Sequence, residues 1–170
     1  QTRTVIGERL TSALPPLAVL PGFAARSGLV AMLAEEVCRD LPGQEVVLDR
    51  LLDLLLVAAL RDWFSRPEAA TPPWYRAVDD PLVGPVLRRM IDDPAHPWTV
   101  AALGAAAGLS RAAFARRFTE LVGEPPMTFL AGWRLALAAD LLRDTNATLA
   151  AVARRVGYGT PFALSTAFKR

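Results

Sequence analysis

The 170-residue sequence has a single cysteine, Cys38, and a single histidine, His96. One cysteine excludes an intramolecular disulfide and fits a reducing cytosol. Its neighbours place it on a helix, where it reads as a small residue without chemistry. His96 sits between Ala95 and Pro97 in a connector. There is no Cys/His cluster at metal-ligand spacing and no glycine-rich phosphate loop, so neither a catalytic residue nor a metal or cofactor site is expected. The acid pairs Glu35-Glu36, Asp79-Asp80 and Asp92-Asp93 read as solvated faces or caps. Long hydrophobic runs are missing too, since spanning a bilayer takes roughly 18–20 apolar residues. The leucine-rich stretch Leu51–Leu60 is interrupted by Asp53 and flanked by Arg50 and Arg61, so no membrane partner is expected. The opening Gln1-Thr2-Arg3-Thr4 carries no signal-peptide pattern and reads as a chain entered in mid-domain, a fragment.

What is present is core-forming: 52% of the residues are hydrophobic and 21% charged, in a length that suits one large or two small domains. The net charge of +2 is unevenly spread. Residues 98–170 hold nine basic and four acidic side chains, whereas residues 1–97 hold ten arginines and thirteen acids. A basic C-terminal half suits a polyanionic partner.

Residues 4–23 have short apolar pieces, Val5-Ile6 and Leu17-Ala18-Val19-Leu20, broken by Gly7, Pro15, Pro16, Pro21 and Gly22. They read as the end of a β-rich region. Helical spacing of Leu29, Met32, Leu33, Val37 and Leu41 predicts a helix over 27–41, ended by Pro42-Gly43. A second helix is predicted over 44–65. Between Leu51 and Leu60 it is apolar nearly all round, so two faces need cover. One can pack on the preceding helix. The other is left either to a second copy of the chain, through Leu51, Leu52, Leu55 and Leu56, or to a preceding domain. Residues 66–77, with three prolines and no apolar period, read as a linker. Asp80-Pro81 then caps a helix carrying Leu82, Val83, Val86, Leu87, Met90 and Ile91, which ends before Pro94.

From Thr99 the chain nearly repeats itself. Thr99 and Gly108 recur 49 residues later as Thr148 and Gly157, and Phe114 and Phe118 recur 50 residues later as Leu164 and Phe168. The one-residue difference falls in a turn. In each copy a threonine caps a short helix. A glycine ends it in a left-handed conformation. A second cap, Ser110 or Thr160, starts the next helix. Two helices joined by a short glycine turn, twice over, make tandem helix-turn-helix units, which points to DNA. Pro125-Pro126 opens a helix to about Arg143 between them, whose roughly 17 residues span about 25 Å at 1.5 Å each. That suits two recognition helices set about 34 Å apart in successive major grooves. Arg134, near its middle, is read as pairing with an acid or touching a phosphate, with the structural role favoured.

At 100° per residue, Phe114 and Phe118 point inward, while Ala112, Arg116 and Thr119 point away with Ala115 beside them. Arg111 lies in the first turn. Arginine reads guanine through a bidentate fork on O6 and N7, and Arg116 is the candidate for that contact. Arg117, on the flank, suits a phosphate. In the second copy Leu164 and Phe168 point inward. Phe162, Thr166 and Lys169 point out, with Ser165 beside them. Phe162 either packs on a thymine methyl or tucks under a Trp or Tyr. Lys169 and Arg170 suit phosphates, as do Ser110 and Thr160 at the helix starts.

The sequence resembles the AraC/XylS family of bacterial transcription regulators over about residues 78–170. The resemblance rests on Trp98-Thr99-Val100, Ala107-Gly108-Leu109-Ser110-Arg111, Phe114 through Phe118, Gly123-Glu124-Pro125-Pro126-Met127, Trp133-Arg134-Leu135, Val156-Gly157-Tyr158 and Ala167-Phe168-Lys169-Arg170. Residues 1–65 resemble the end of the cupin-type effector domain of one subgroup. The resemblance implies a mostly α fold: two helix-turn-helix subdomains on a long helix, preceded by a helical hairpin and a short β remnant of the effector domain. It implies a cytoplasmic regulator of promoter DNA, with base-facing positions at Ala112, Ala115, Arg116, Phe162, Ser165 and Thr166 and with RNA polymerase as a further partner. Thr166 departs from the arginine of many relatives, and the family pattern runs on past residue 170. A competing expectation is an effector-sensing or dimerisation module working through residues 27–64.

Overall fold

The computed structural model describes Leu10 and residues 12–169. Among them the chain forms two compact units, one over residues 14–70 and one built on residues 71–169.

The first unit holds α1 (Phe23–Ser27), α2 (Leu29–Val37) and α3 (Gln44–Phe64). The helix expected over 27–41 is divided and shorter. Gly28 takes a left-handed φ of +65° between α1 and α2, and α2 ends at Val37 with Cys38 as its exposed C-cap. α2 and α3 pack as the expected hairpin. Gln44 closes its loop by donating from Nε2 to the carbonyls of Glu36, at 2.8 Å, and of Arg39. The β remnant has no strand in its described part: residues 12–22 are turns, bends and irregular backbone, and Val5-Ile6 lies outside the described residues. This stretch is rich in Pro and Gly, which favour turns over a paired strand.

α3 has a covered inner face and an outer apolar face that is exposed. Leu51 is buried and Leu55 half-buried, whereas Leu52 and Leu56 are exposed, as are Val46, Leu54 and Val57. The four leucines expected to meet a partner copy therefore straddle two faces. At 100° per residue, Leu51 and Leu55 lie together, a quarter-turn from Leu52 and Leu56.

The second unit runs α4 (Pro73–Ala77), α5 (Val83–Asp92), α6 (Val100–Ala106), α7 (Arg111–Val122), α8 (Pro126–Asp144), α9 (Leu149–Arg155) and α10 (Pro161–Phe168). Part of the expected 66–77 linker belongs to this unit. Pro73 sits in the first turn of α4, where a missing N–H costs nothing, and Ala77 is buried in the core. Trp74 sets its ring edge-on to Trp133, with centroids 5.8 Å apart.

α8 serves two cores from two faces. Phe129, Leu130 and Trp133 join Val83, Val86, Leu87, Met90, Leu103, Phe114, Phe118 and Val122 in the first core. There an aromatic ladder runs Phe114–Phe118–Phe129–Trp133, with centroid spacings of 5.6, 5.9 and 6.0 Å. Nine residues beyond Phe129, about half a turn round the helix axis, Ala138 joins Val152, Ala153, Val156 and Leu164 in the second core. A helix with separate partners at its two ends needs apolar residues all round. α8 has 19 residues, so it spans about 28 Å. No helix among the described residues is long and apolar enough to cross a membrane.

Candidate nucleic-acid interface

Each helix of the two helix-turn-helix units begins on a side-chain cap. Thr99 Oγ1 accepts from Ala102 N at 3.1 Å, and Ser110 Oγ from Ala113 N at 3.2 Å. Thr148 Oγ1 accepts from Ala151 N at 3.3 Å, and Thr160 Oγ1 from Ala163 N at 3.1 Å. Each cap satisfies one otherwise unpaired N–H and contributes about 1 kcal/mol. Between the helices Gly108 and Gly157 adopt φ of +68° and +85°, the left-handed region that ends α6 and α9. Leu109 N then donates to Gly104 O at 2.9 Å, and Tyr158 N donates to the matching Ala153 O at 2.8 Å. The two copies thus share their caps, their glycine conformation and their turn hydrogen bond.

On α7, Arg111, Ala112 and Arg116 are exposed, Ala115 and Thr119 are half-buried, and Phe114 and Phe118 are fully buried. The side chain of Arg116 is 76% exposed, its Nε 4.0 Å from Glu120 Oε1 one turn on. Such a loose surface pair is worth little, so the guanidinium can exchange it for another acceptor. Ser110 and Thr160 use their oxygens to accept the capping N–H, which leaves each hydroxyl hydrogen to donate outward.

Arg117 stands apart from its neighbours. Its Nη2 donates to Asp80 Oδ2 at 2.6 Å and its Nε to Asp80 Oδ1 at 3.3 Å. Asp80 also accepts from the backbone N–H of Leu82 and Val83 at 3.0 and 2.8 Å, capping the start of α5. Arg117, foremost, and then these N–H groups hold the Asp80 carboxyl below the usual carboxylate range, against the opposing effect of burial. Sequence reasoning found Asp80 as a cap but missed its partner; 37 residues separate the two, and no local signal links them.

On α10, the ring of Phe162 is 81% exposed, so it does not tuck under a Trp or Tyr. Ser165 and Thr166 are half-buried and Lys169 is exposed. Thr166 and Phe162 border a groove of about 730 Å³ between α8 and α10, floored by Ala131, Gly132 and Leu135. Arg170 lies outside the described residues. Phe168, expected to point inward, is 44% exposed. Its counterpart Phe118 is covered by Phe114 and Phe129, whereas the second core closes at Leu164.

Arg134 has the structural role expected of it, but its partners are carbonyls in place of an acid. Nε donates to Pro94 O at 2.7 Å and Nη2 to His96 O at 3.0 Å. His96 lies with its ring 4.2 Å from that of Trp98, whose Nε1 donates to Asp93 O at 2.9 Å.

Residues 103–170 match the family described as "Helix-turn-helix domain", and residues 1–65 match the family described as "Cupin". The chain is 38% identical over 167 residues to a putative AraC-like transcription regulator of Streptomyces antibioticus and 37% identical to one of Streptomyces lividans. It spans 55% of the length of each and 96% of its own. Among solved structures, it resembles the DNA-binding domain of AdpA, described as a global transcriptional factor and crystallised with a target DNA. That likeness has a TM-score of 0.51 and 31% identity, and it covers 52% of this chain and 80% of that one. With matching segments at both ends and relatives of this kind along nearly its whole length, the chain belongs to the AraC/XylS family, in the subgroup with a cupin-type effector domain.

Proposed function

We propose that residues 71–170 bind double-stranded promoter DNA sequence-specifically, with α7 and α10 entering successive major grooves. The observation that carries this is the repeated, capped helix-turn-helix with exposed Arg111 and Arg116 on the outer face of α7, in a chain similar to a DNA-binding domain crystallised with its target. Arg116 reads a base edge, guanine by preference, with Arg111, Ala112 and Ala115 lining the same groove. Phe162 offers its exposed ring to a thymine methyl, with Ser165 and Thr166 beside it. Ser110, Thr160, Lys169 and Arg170 hold phosphates. Arg117 is moved from that group: held by Asp80 through two of its donors, it sets the position of α7 instead. As a regulator of this kind the protein works in the cytoplasm and meets RNA polymerase at the promoter. Selection of duplexes from random DNA by the chain tests this. Enrichment of a shared bipartite sequence is expected, and a pool that stays random after repeated rounds rejects it.

A second function is supported by the exposed apolar face of α3. We assign Leu52 and Leu56 to contact with a second copy of the chain, which makes the α2–α3 hairpin a dimerisation element.

A further inference from the structure

The two helix-turn-helix units meet at a compact contact in addition to sharing α8. The connector between α5 and α6, residues 93–99, belongs to the first helix-turn-helix. Arg134, halfway along α8, donates to two of its carbonyls, at Pro94 and His96. The turn after α9, in the second helix-turn-helix, closes on the same connector. A Cβ on Gly157 would stand 2.8 Å from Ala95 Cα, 3.0 Å from Ala95 O and 2.9 Å from Arg134 Nη2. Glycine is therefore needed at 157 twice over, for its φ of +85° and for this approach. Tyr158 lies half-buried beside Arg134, where burial raises its phenol above the usual range. Connector, guanidinium and turn form a three-part joint between the units.

Resting on the DNA-binding reading above, we propose that Arg134, seated against Gly157, is a positioning residue that fixes the separation and relative rotation of α7 and α10, and so selects the spacing between the two half-sites. The physical reason is helical. Each added base pair moves one half-site by roughly 3.4 Å and turns it by roughly 34° about the duplex axis. Two recognition helices on a yielding joint follow such a shift, while two on a fixed joint lose one set of contacts. α8 sets the distance, and the guanidinium, bonded at two points on the far connector, resists twist about it. Arg134 is poorly placed for phosphate contact, because it is half-buried and two of its donors are held by the protein's own carbonyls.

The test compares the wild-type chain with Arg134→Met and Arg134→Lys. The probes are a bipartite duplex selected by the wild type, the same duplex with two base pairs inserted between its halves, and each half alone. Wild type should lose about tenfold or more on the lengthened duplex, Arg134→Met less than about threefold, and Arg134→Lys should recover part of the discrimination. Affinity for the separate halves should be alike in all three. Unchanged discrimination in Arg134→Met overturns the proposal, and so does an equal loss on every probe, which indicates a purely structural role. A readout that needs no DNA accompanies it: spin labels at Glu120→Cys and Lys169→Cys, in a Cys38→Ser background. The distance distribution should be narrow in the wild type and broadened by Arg134→Met; equal widths overturn the proposal. Should the wild-type chain enrich no duplex, the DNA-binding reading falls and the spacing role with it. The label widths distinguish that outcome from a failure of Arg134 alone, in which duplexes bind and the widths match.

Discussion

Arg117 grips both carboxylate oxygens of Asp80, at 2.6 and 3.3 Å, across 37 residues of sequence. The pair ties α7 to the start of α5, because the same carboxylate caps the N–H groups of Leu82 and Val83. The Asp80 side chain is only 10% exposed, so removing its partner leaves a poorly solvated carboxylate. Arg117→Gln should therefore lower the melting temperature, yet leave the slope of log affinity against log salt unchanged. A phosphate-binding Arg117 would instead reduce that slope by about one.

The same pair has a pH signature. The folded-state pKa of Asp80 lies below its unfolded value. Its stabilisation is fully present above about pH 4, the ordinary carboxylate range, and is lost as pH falls through the lowered folded value. Stability should drop on acidification through this window, and less steeply in Asp80→Asn, which starts lower. Parallel curves for the two proteins in thermal melts from pH 6 to pH 3 would remove Asp80 as the source.

Arg116→Ala should cost about 1–3 kcal/mol on the selected site and relax preference at one base position. Binding measured on duplexes varied one position at a time checks this. Weakening that is uniform across all sequences would move Arg116 to the phosphates.

Phe118 and Phe168 are repeat partners with opposite surroundings. Phe118 is fully buried in the aromatic ladder, so Phe118→Ala should destabilise by about 3–5 kcal/mol. Phe168 is 44% exposed at the end of α10, and Phe168→Ala should stay within about 1 kcal/mol. Denaturant midpoints decide. Comparable losses at the two positions would mean that Phe168 is packed as tightly as its counterpart.

Leu52→Glu combined with Leu56→Glu should shift the chain from dimer to monomer in a sedimentation concentration series, with helix content unchanged. A wild-type chain that is monomeric at every concentration would leave α3 without the role assigned to it.

The tandem repeat is legible in the sequence residue by residue: all four capping side chains and both turn glycines stand where the spacing puts them. Of the inward set Phe114, Phe118, Leu164 and Phe168, the first three followed from periodicity, because helix geometry carries a residue's direction for several turns; Phe168, at the end of α10, is exposed. The misses have a different origin. The break at Gly28 needed a choice between a helix that tolerates glycine and one that stops there, and periodicity does not make it: Gly28 takes a left-handed φ of +65° and divides the helix. α4 was hidden in a proline-rich stretch that reads as linker, because the aromatic partner that holds it, Trp133, lies 59 residues from Trp74.

The sequence by itself determined where the helices of the tandem helix-turn-helix begin, turn and end, since caps and glycines act on backbone groups three or four residues away. It also determined which side of α7 carries arginine. Only the tertiary structure decided what those arginines do. Arg116 remains exposed, Arg117 is held by Asp80, and Arg134 bonds the connector at Pro94 and His96. Side chains of one type, with the same five donors, part company here because a guanidinium goes to the acceptors within its reach, and folding alone brings those acceptors there.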